Sequence, residues 1–242
     1  MTALRNILVA VRPGSLDSHP LRSAMAVATR ARARLSGLSV APSPRARAHI
    51  ESTLAEGIPM HTALGIPAIE IVREAESKGT DLLVLGRELS PQMDLRHDGN
   101  TVEGTVRRAR IPCLVVPRGQ EKFGRVLAAV DGGPDSRDVM AAALLVGRLF
   151  DASVRAVQVE AAILAGVGAS TGLHEVPPAG GDETIICQGD PVSEILRVVR
   201  DEDVDLLVFG HHRGGPISSH ATSGVAARLL QRAPCAVLTV PI

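Results

Sequence analysis

Along the chain, short runs that are apolar at nearly every position alternate with longer stretches in which apolar residues return at every third or fourth place. In the second half the continuous runs are Val126–Val130, Val154–Val159, Thr184–Cys187, Leu206–Phe209 and Ala236–Val240. They are short, rich in β-branched residues and apolar on both sides of the alternation, as parallel strands covered on both faces are. Between them, Ser136–Phe150, Val192–Arg200 and Gly224–Arg232 are expected to be helices. Val192, Ile195, Leu196 and Val199 mark one helical face at i, i+3, i+4 and i+7. Strand and helix in alternation predict a doubly wound, mostly parallel α/β sheet with about five strands per half.

The pattern is written twice. "TDLLVLGREL" (Thr80–Leu89) returns as "VDLLVFGHHR" (Val204–Arg213), 124 residues later. "NILVAV" (Asn6–Val11) matches "RVLAAV" (Arg125–Val130), and "LGIPAIEIV" (Leu64–Val72) matches "QGDPVSEIL" (Gln188–Leu196). "IPCLVVP" (Ile111–Pro117) matches "APCAVLTVP" (Ala233–Pro241). The order is the same in both copies. A period of about 120 residues is that of a duplicated domain rather than of a solenoid unit. Two units, 1–119 and 123–242, are expected, joined near the polar stretch "RGQEKFG" (Arg118–Gly124).

Composition narrows the function. The 242 residues carry no net charge, yet the first unit is +5 and the second −5, a weak bias toward docking on each other. With no Trp or Tyr and three Phe, a stacking platform for single-stranded nucleic acid is not expected. No apolar run has the length of a membrane span, and the start lacks a signal-peptide layout. Cys113, Cys187 and Cys235 all lie in apolar runs and are read as buried thiols of a reducing, cytoplasmic compartment. "TRARARL" (Thr29–Leu35) ends the first expected helix, where positive charge suits the helix dipole better than it argues for nucleic acid.

In an open parallel sheet a ligand sits beyond the carboxyl ends of the strands. A glycine there permits close approach, and a small-residue loop leading into a helix offers N–H groups to an anion. After Gly210 the chain reads "HHRGGPISSHATSGVAARLLQRAPC", a Gly/Ser loop opening a helix near Gly224-Val225.

These features resemble the universal stress protein family through both halves. The family's pattern has an Asp closing the first strand, Gly-x-Pro before the third helix, Asp-apolar-Gly ending the fourth strand, a loop Gly-x2-Gly-x9-Gly-Ser/Thr, and Pro-Cys-x-Val near the end. The resemblance implies strand order 3-2-1-4-5 in each unit and an intramolecular pseudo-dimer through the last strands, with Cys113 and Cys235 near the junction. It leaves open a homodimer and an unidentified protein partner. It also implies ATP or another adenine nucleotide as ligand, with no metal beyond the magnesium accompanying it. On this pattern Asp131 and Val159 frame the adenosine, and Gly210, Arg213, Gly214, Gly215, Ser223, Gly224 and Val225 form the phosphate loop. Arg213 stands at the second loop glycine, and Ser223-Gly224 inverts the expected order, but the loop length from Gly210 to Val225 is the family's. In the first unit Arg12 replaces the Asp, and only Val40, Gly86 and Thr101, beside Gly99 and Asn100, echo the motif. The second site is therefore expected to be the retained one, in a stress-response protein for which the nucleotide is a ligand or switch.

Alternatives follow from particular residues. A protein with decayed sites, acting only through protein contacts, is the competing class; Arg213 and the inverted Ser223-Gly224 favour it. Gly86, Gly210 and Asp131 also admit plain roles as strand ends, turn and cap. "DGGPDS" (Asp131–Ser136) resembles the loop of ATP pyrophosphatases, but its leading carboxylate would repel pyrophosphate. His211, His212 and His220 lack the spacing of metal ligands and are expected on a solvated or phosphate-facing loop. No general base and no paired carboxylates stand near the loop, so no catalysis is assigned. Ala161–Asp182, glycine-rich with Pro177-Pro178, is expected to be mobile or irregular.

Overall fold

The computed structural model describes residues 3–12, 19–41, 43, 57–87, 99–160, 184–212 and 224–242. Ala161–Asp182, Arg213–Ser223 and the first-unit loop 88–98 lie outside the described residues, and with them His220.

The first unit runs β1 (Asn6–Val11), α1 (His19–Ala31), β2 (Arg34–Ala41), β3 (Met60–Leu64), α2 (Pro67–Ser77), β4 (Leu82–Gly86), α3 (Gly99–Arg108) and β5 (Cys113–Val116). The second repeats it: β6 (Arg125–Val130), α4 (Ser136–Phe150), β7 (Ser153–Glu160), β8 (Thr184–Gln188), α5 (Pro191–Asp201), β9 (Leu206–His211), α6 (Val225–Arg232) and β10 (Ala236–Pro241). The expected elements of the second half are all present within a few residues.

Ten strands form one sheet in the order β3-β2-β1-β4-β5-β10-β9-β6-β7-β8. Counted within each unit this is 3-2-1-4-5, written once and then reversed. Neighbours inside a unit are parallel. At the centre β5 and β10 run antiparallel, with Val115 opposite Val237, Leu114 opposite Leu238 and Cys113 opposite Thr239.

The central strands β1, β4, β5, β6, β9 and β10 are apolar at nearly every position because each contributes to two cores. Ile7, Val9, Leu82, Val84, Leu114, Val126, Leu206, Val208 and Leu238 face α1 and α4 on one side. Leu8, Leu38, Leu83, Val115, Leu127, Leu207 and Val237 face α2, α3, α5 and α6 on the other. Both cores draw on both halves, so the junction is internal packing rather than a contact of two finished surfaces. Phe123, inside the polar linker, is buried and packs edge-on against Phe150, with ring centroids 4.9 Å apart. Arg30, in the last turn of α1, lies 4.4 Å over the Phe150 ring, so the basic end of this helix is held across the junction.

Local chemistry sets the element ends. The stripe Val192, Ile195, Leu196, Val199 is buried, and Asp190 caps α5 by accepting from the Ser193 N–H at 3.0 Å, with Pro191 in the first turn. Gly65 and Gly189, each before the Pro-led helix, hold φ of +140° and +134°, which other residues adopt only with strain.

The aspartate of the duplicated "Asp-Leu-Leu-Val" explains why it is written twice. Asp81 Oδ2 accepts from the N–H groups of Arg5 and Asn6, both at 2.8 Å. Asp205 Oδ2 accepts from Gly124 and Arg125 at 2.8 and 2.9 Å. Each clasps the start of its unit's first strand, at the sheet end opposite the candidate ligand site.

Candidate functional site

The carboxyl ends of β6, β7 and β9 meet the amino end of α6 in the second unit. Asp131 follows β6 directly and is exposed. Its Oδ1 accepts from the Gly133 N–H at 2.8 Å and from the buried Ser136 hydroxyl at 3.0 Å. Its Oδ2 accepts no bond among the described residues. Asp131 is thus a turn residue and, at the same time, a pre-oriented acceptor. Gly132, at φ +78°, completes the turn, and a side chain there would stand 3.2 Å from Gln158 at the end of β7. The next residue of that strand, Val159, is half-buried. The arrangement also bears on the pyrophosphatase alternative. The Gly133 N–H and the Ser136 hydroxyl, donors such a loop would present to pyrophosphate, are both turned onto Asp131.

Gly210 does not close its strand. β9 continues to His211, with Gly210 opposite Val240 and the Ile242 N–H donating to the His211 carbonyl at 3.1 Å. A Cβ on Gly210 would lie 2.7 Å from Ile242 Cδ1 and 3.4 Å from Val139 Cγ2; one on Gly86 would lie 2.9 Å from both His19 Nε2 and Pro20 Cγ. In both units the glycine makes room for protein: for the start of α1 over Gly86, for α4 and the last residue over Gly210. His211, expected on a loop, is instead a buried strand residue, because the added β9–β10 pairing carries it into the interior; His212 is exposed.

Gly224 is extended (φ −66°, ψ 154°) and opens α6 at Val225 with no side-chain cap. The first N–H groups of such a helix have no partner within it. Arg228, one turn in, lies 3.4 Å from Asp190 Oδ2 and ties α6 to the cap of α5. Bonds to Ser193 and the charge of Arg228 hold the Asp190 carboxyl below its ordinary range.

Of the expected second-unit residues, Asp131, Val159, Gly210, Gly224 and Val225 come to one end of the sheet; Arg213, Gly214, Gly215 and Ser223 lie outside the described residues. In the first unit Arg12 follows β1, Val40 is buried in β2, Gly86 ends β4 and Thr101 lies in the first turn of α3. Among the described residues no group of three His, Cys, Asp or Glu is placed to hold a metal ion, and no helix is long and apolar enough to cross a membrane.

Sequence reading missed Arg87, next after Gly86. Its guanidinium is buried and crosses the junction, donating through Nη1 to the Leu230 carbonyl and through Nη2 to the carbonyls of Ala233 (2.5 Å) and Cys235 (2.8 Å). Burial pulls it below the ordinary arginine value, with the Cys235 side chain opposing. No periodicity announces such a contact. Ser136, Gln158 and the Asp190–Arg228 link were missed as well, although the helix-opening Ser136 two places after a Gly-Pro turn was a usable signal.

Solved structures that match nearly end to end include the following three. A protein of Pseudomonas aeruginosa UCBPP-PA14 assigned to the universal stress proteins matches at 19% identity and TM-score 0.73, over 99% of this chain and 94% of that one. A functionally unknown protein of Pseudomonas aeruginosa PAO1 matches at 18% and 0.69, over 99% and 93%. A universal stress protein of Archaeoglobus fulgidus DSM 4304 matches at 16% and 0.69, over 98% of each chain. In sequence, residues 160–241 match the model of the universal stress protein family. No curated protein matches.

Proposed function

We propose, because residues 160–241 match the model of the universal stress protein family and the whole chain shares its fold with proteins of that family, that this is a tandem stress-response protein, of units 1–119 and 123–242, that binds an adenine nucleotide in its second unit. The observation that carries the reading is the difference between the two first-strand ends. Asp131 holds one carboxylate oxygen on its turn and leaves the other without a bond among the described residues. A ribose hydroxyl or an adenine amino group needs such an acceptor, and Arg12 at the matching place has only donors. The uncapped amino end of α6 supplies N–H groups on the same side of the sheet. The nucleotide acts as a ligand or switch. Buried thiols fit a reducing cytoplasm.

The second reading, a protein acting only through protein contacts, is favoured by one observation: Gly86 and Gly210 are crowded by the chain's own atoms. Mass spectrometry of small molecules released on denaturing the purified full chain separates the two. A released adenine nucleotide, or calorimetric ATP binding that Asp131→Ala weakens and Arg12→Ala leaves intact, supports the first. Neither release nor binding leaves the second.

A further inference from the structure

We propose that Arg87 is a clamp through which the first unit positions α6 of the second. Helix α6 has eight residues, Val225–Arg232, of which Leu229 and Leu230 are buried. A helix this short has no stability of its own in water. Its last carbonyls need partners from elsewhere. Arg87 brings them from the other unit: one guanidinium donates to Leu230 in the last turn, to Ala233 just beyond it and to Cys235 at the approach to β10. A cation at this end also complements the helix dipole. The grip lies in the interior, where water does not compete. On the surface a second cross-junction bond, Gln231 Nε2 to Glu103 Oε2 at 3.2 Å, joins α6 to α3. At the matching place of the second unit stands His211. An imidazole has at most two donors, so the same three-point hold is not available in the opposite direction.

At eight residues α6 is a rod of about 12 Å. Holding its carboxyl end sets where its amino end, Gly224-Val225, stands at the end of the sheet that carries Asp131. The first unit, with Arg12 in place of the acidic residue, thus keeps a role: it supplies the support for the second unit's site. The clamp itself stands without any ligand; its effect on nucleotide rests on the function proposed above.

Hydrogen exchange read by mass spectrometry on the unliganded full chain tests the clamp. In Arg87→Met the amides of α6 and of Ala233–Cys235 are expected to exchange at least about tenfold faster, while those of β6 and α4 keep the wild-type rate. Arg87→Lys, with charge but no fork, should fall between. Unchanged exchange in α6, or an equal acceleration through every element, overturns the clamp. If Arg87→Met does not fold, Arg87→Lys is read by the same criterion. ATP titration is the second arm. Wild-type binding that Arg87→Met weakens supports the positioning role; equal affinity in both overturns it. Absence of ATP binding to wild type defeats the nucleotide reading, and the exchange result still decides the clamp.

Discussion

Asp131 serves its own turn with one oxygen, and in the proposed function the other oxygen meets the nucleotide. Asp131→Ala should weaken ATP binding to the full chain by about 1–3 kcal/mol, the cost of leaving a buried ligand donor without its acceptor. Arg12→Ala should leave the affinity unchanged. Calorimetry measures both, and full affinity in Asp131→Ala would move the site elsewhere. The cysteines behave differently. Burial raises the Cys113 thiol to about 12 and the Cys235 thiol to about 11, the latter eased by the charge of Arg87. Both are neutral at physiological pH, and the register sets Thr239, not Cys235, opposite Cys113. Iodoacetamide should label neither in the native protein and both after unfolding. Fast native labelling of Cys113 would mean that the β5–β10 junction opens.

At the scale of the element, stability depends on a few side chains that hold strand starts and helix ends. Asp205→Ala strips the start of β6 of its acceptor for two N–H groups and should lower stability by about 1–2 kcal/mol. Asp81→Ala should do the same at β1. Urea unfolding reads both, and a loss under a few tenths would show that water replaces the clasp. The cap of α5 carries a pH dependence. Asp190 is held below its ordinary value by Ser193, so the folded state favours the charged form. That contribution is complete above the unfolded aspartate value of about 3.9 and is lost as pH falls through the lower folded value. Asp190→Asn still accepts from the Ser193 N–H but does not titrate. The wild type should therefore lose more melting temperature than Asp190→Asn between about pH 5 and about pH 2; parallel losses would remove Asp190 from the acid response.

At the scale of the whole molecule, the described residues form one sheet with two continuous cores. Cutting it between the units would expose β10 along an edge whose residues Ala236–Val240 are all buried in the intact chain. An open apolar edge pairs with whatever strand is available. Residues 120–242 expressed alone are therefore expected to dimerise, a second β10 taking the place of β5. Light scattering over a dilution series checks this, and a stable monomer would show that the unit closes its own edge. The same cut removes Arg87, so α6 should be the least protected element of that dimer.

Periodicity and duplication determined a great deal by themselves. Val192, Ile195, Leu196 and Val199 fall on one buried face, and the apolar runs become strands, because these are local consequences of helical and pleated geometry; the central runs are covered on both sides, but Thr184–Cys187 is an edge strand that leaves Ile186 65% exposed. The repeated order of segments required two copies of one topology, and Asp131 at the end of β6 was legible because a strand and a helix cap bracket it. The meaning of the glycines was not. Gly86 and Gly210 look alike in sequence, but only packing decides that α1 lies over one and Ile242 over the other. Nor could the sequence assign Asp81 and Asp205 to the far end of the sheet, since their partners are backbone N–H groups 75 to 81 residues away. Arg87 is the extreme case: its acceptors are carbonyls 143 to 148 residues distant, in the other unit. Backbone carbonyls carry no residue identity, so a contact made to them leaves no mark in the sequence and exists only once the two halves of the sheet have joined.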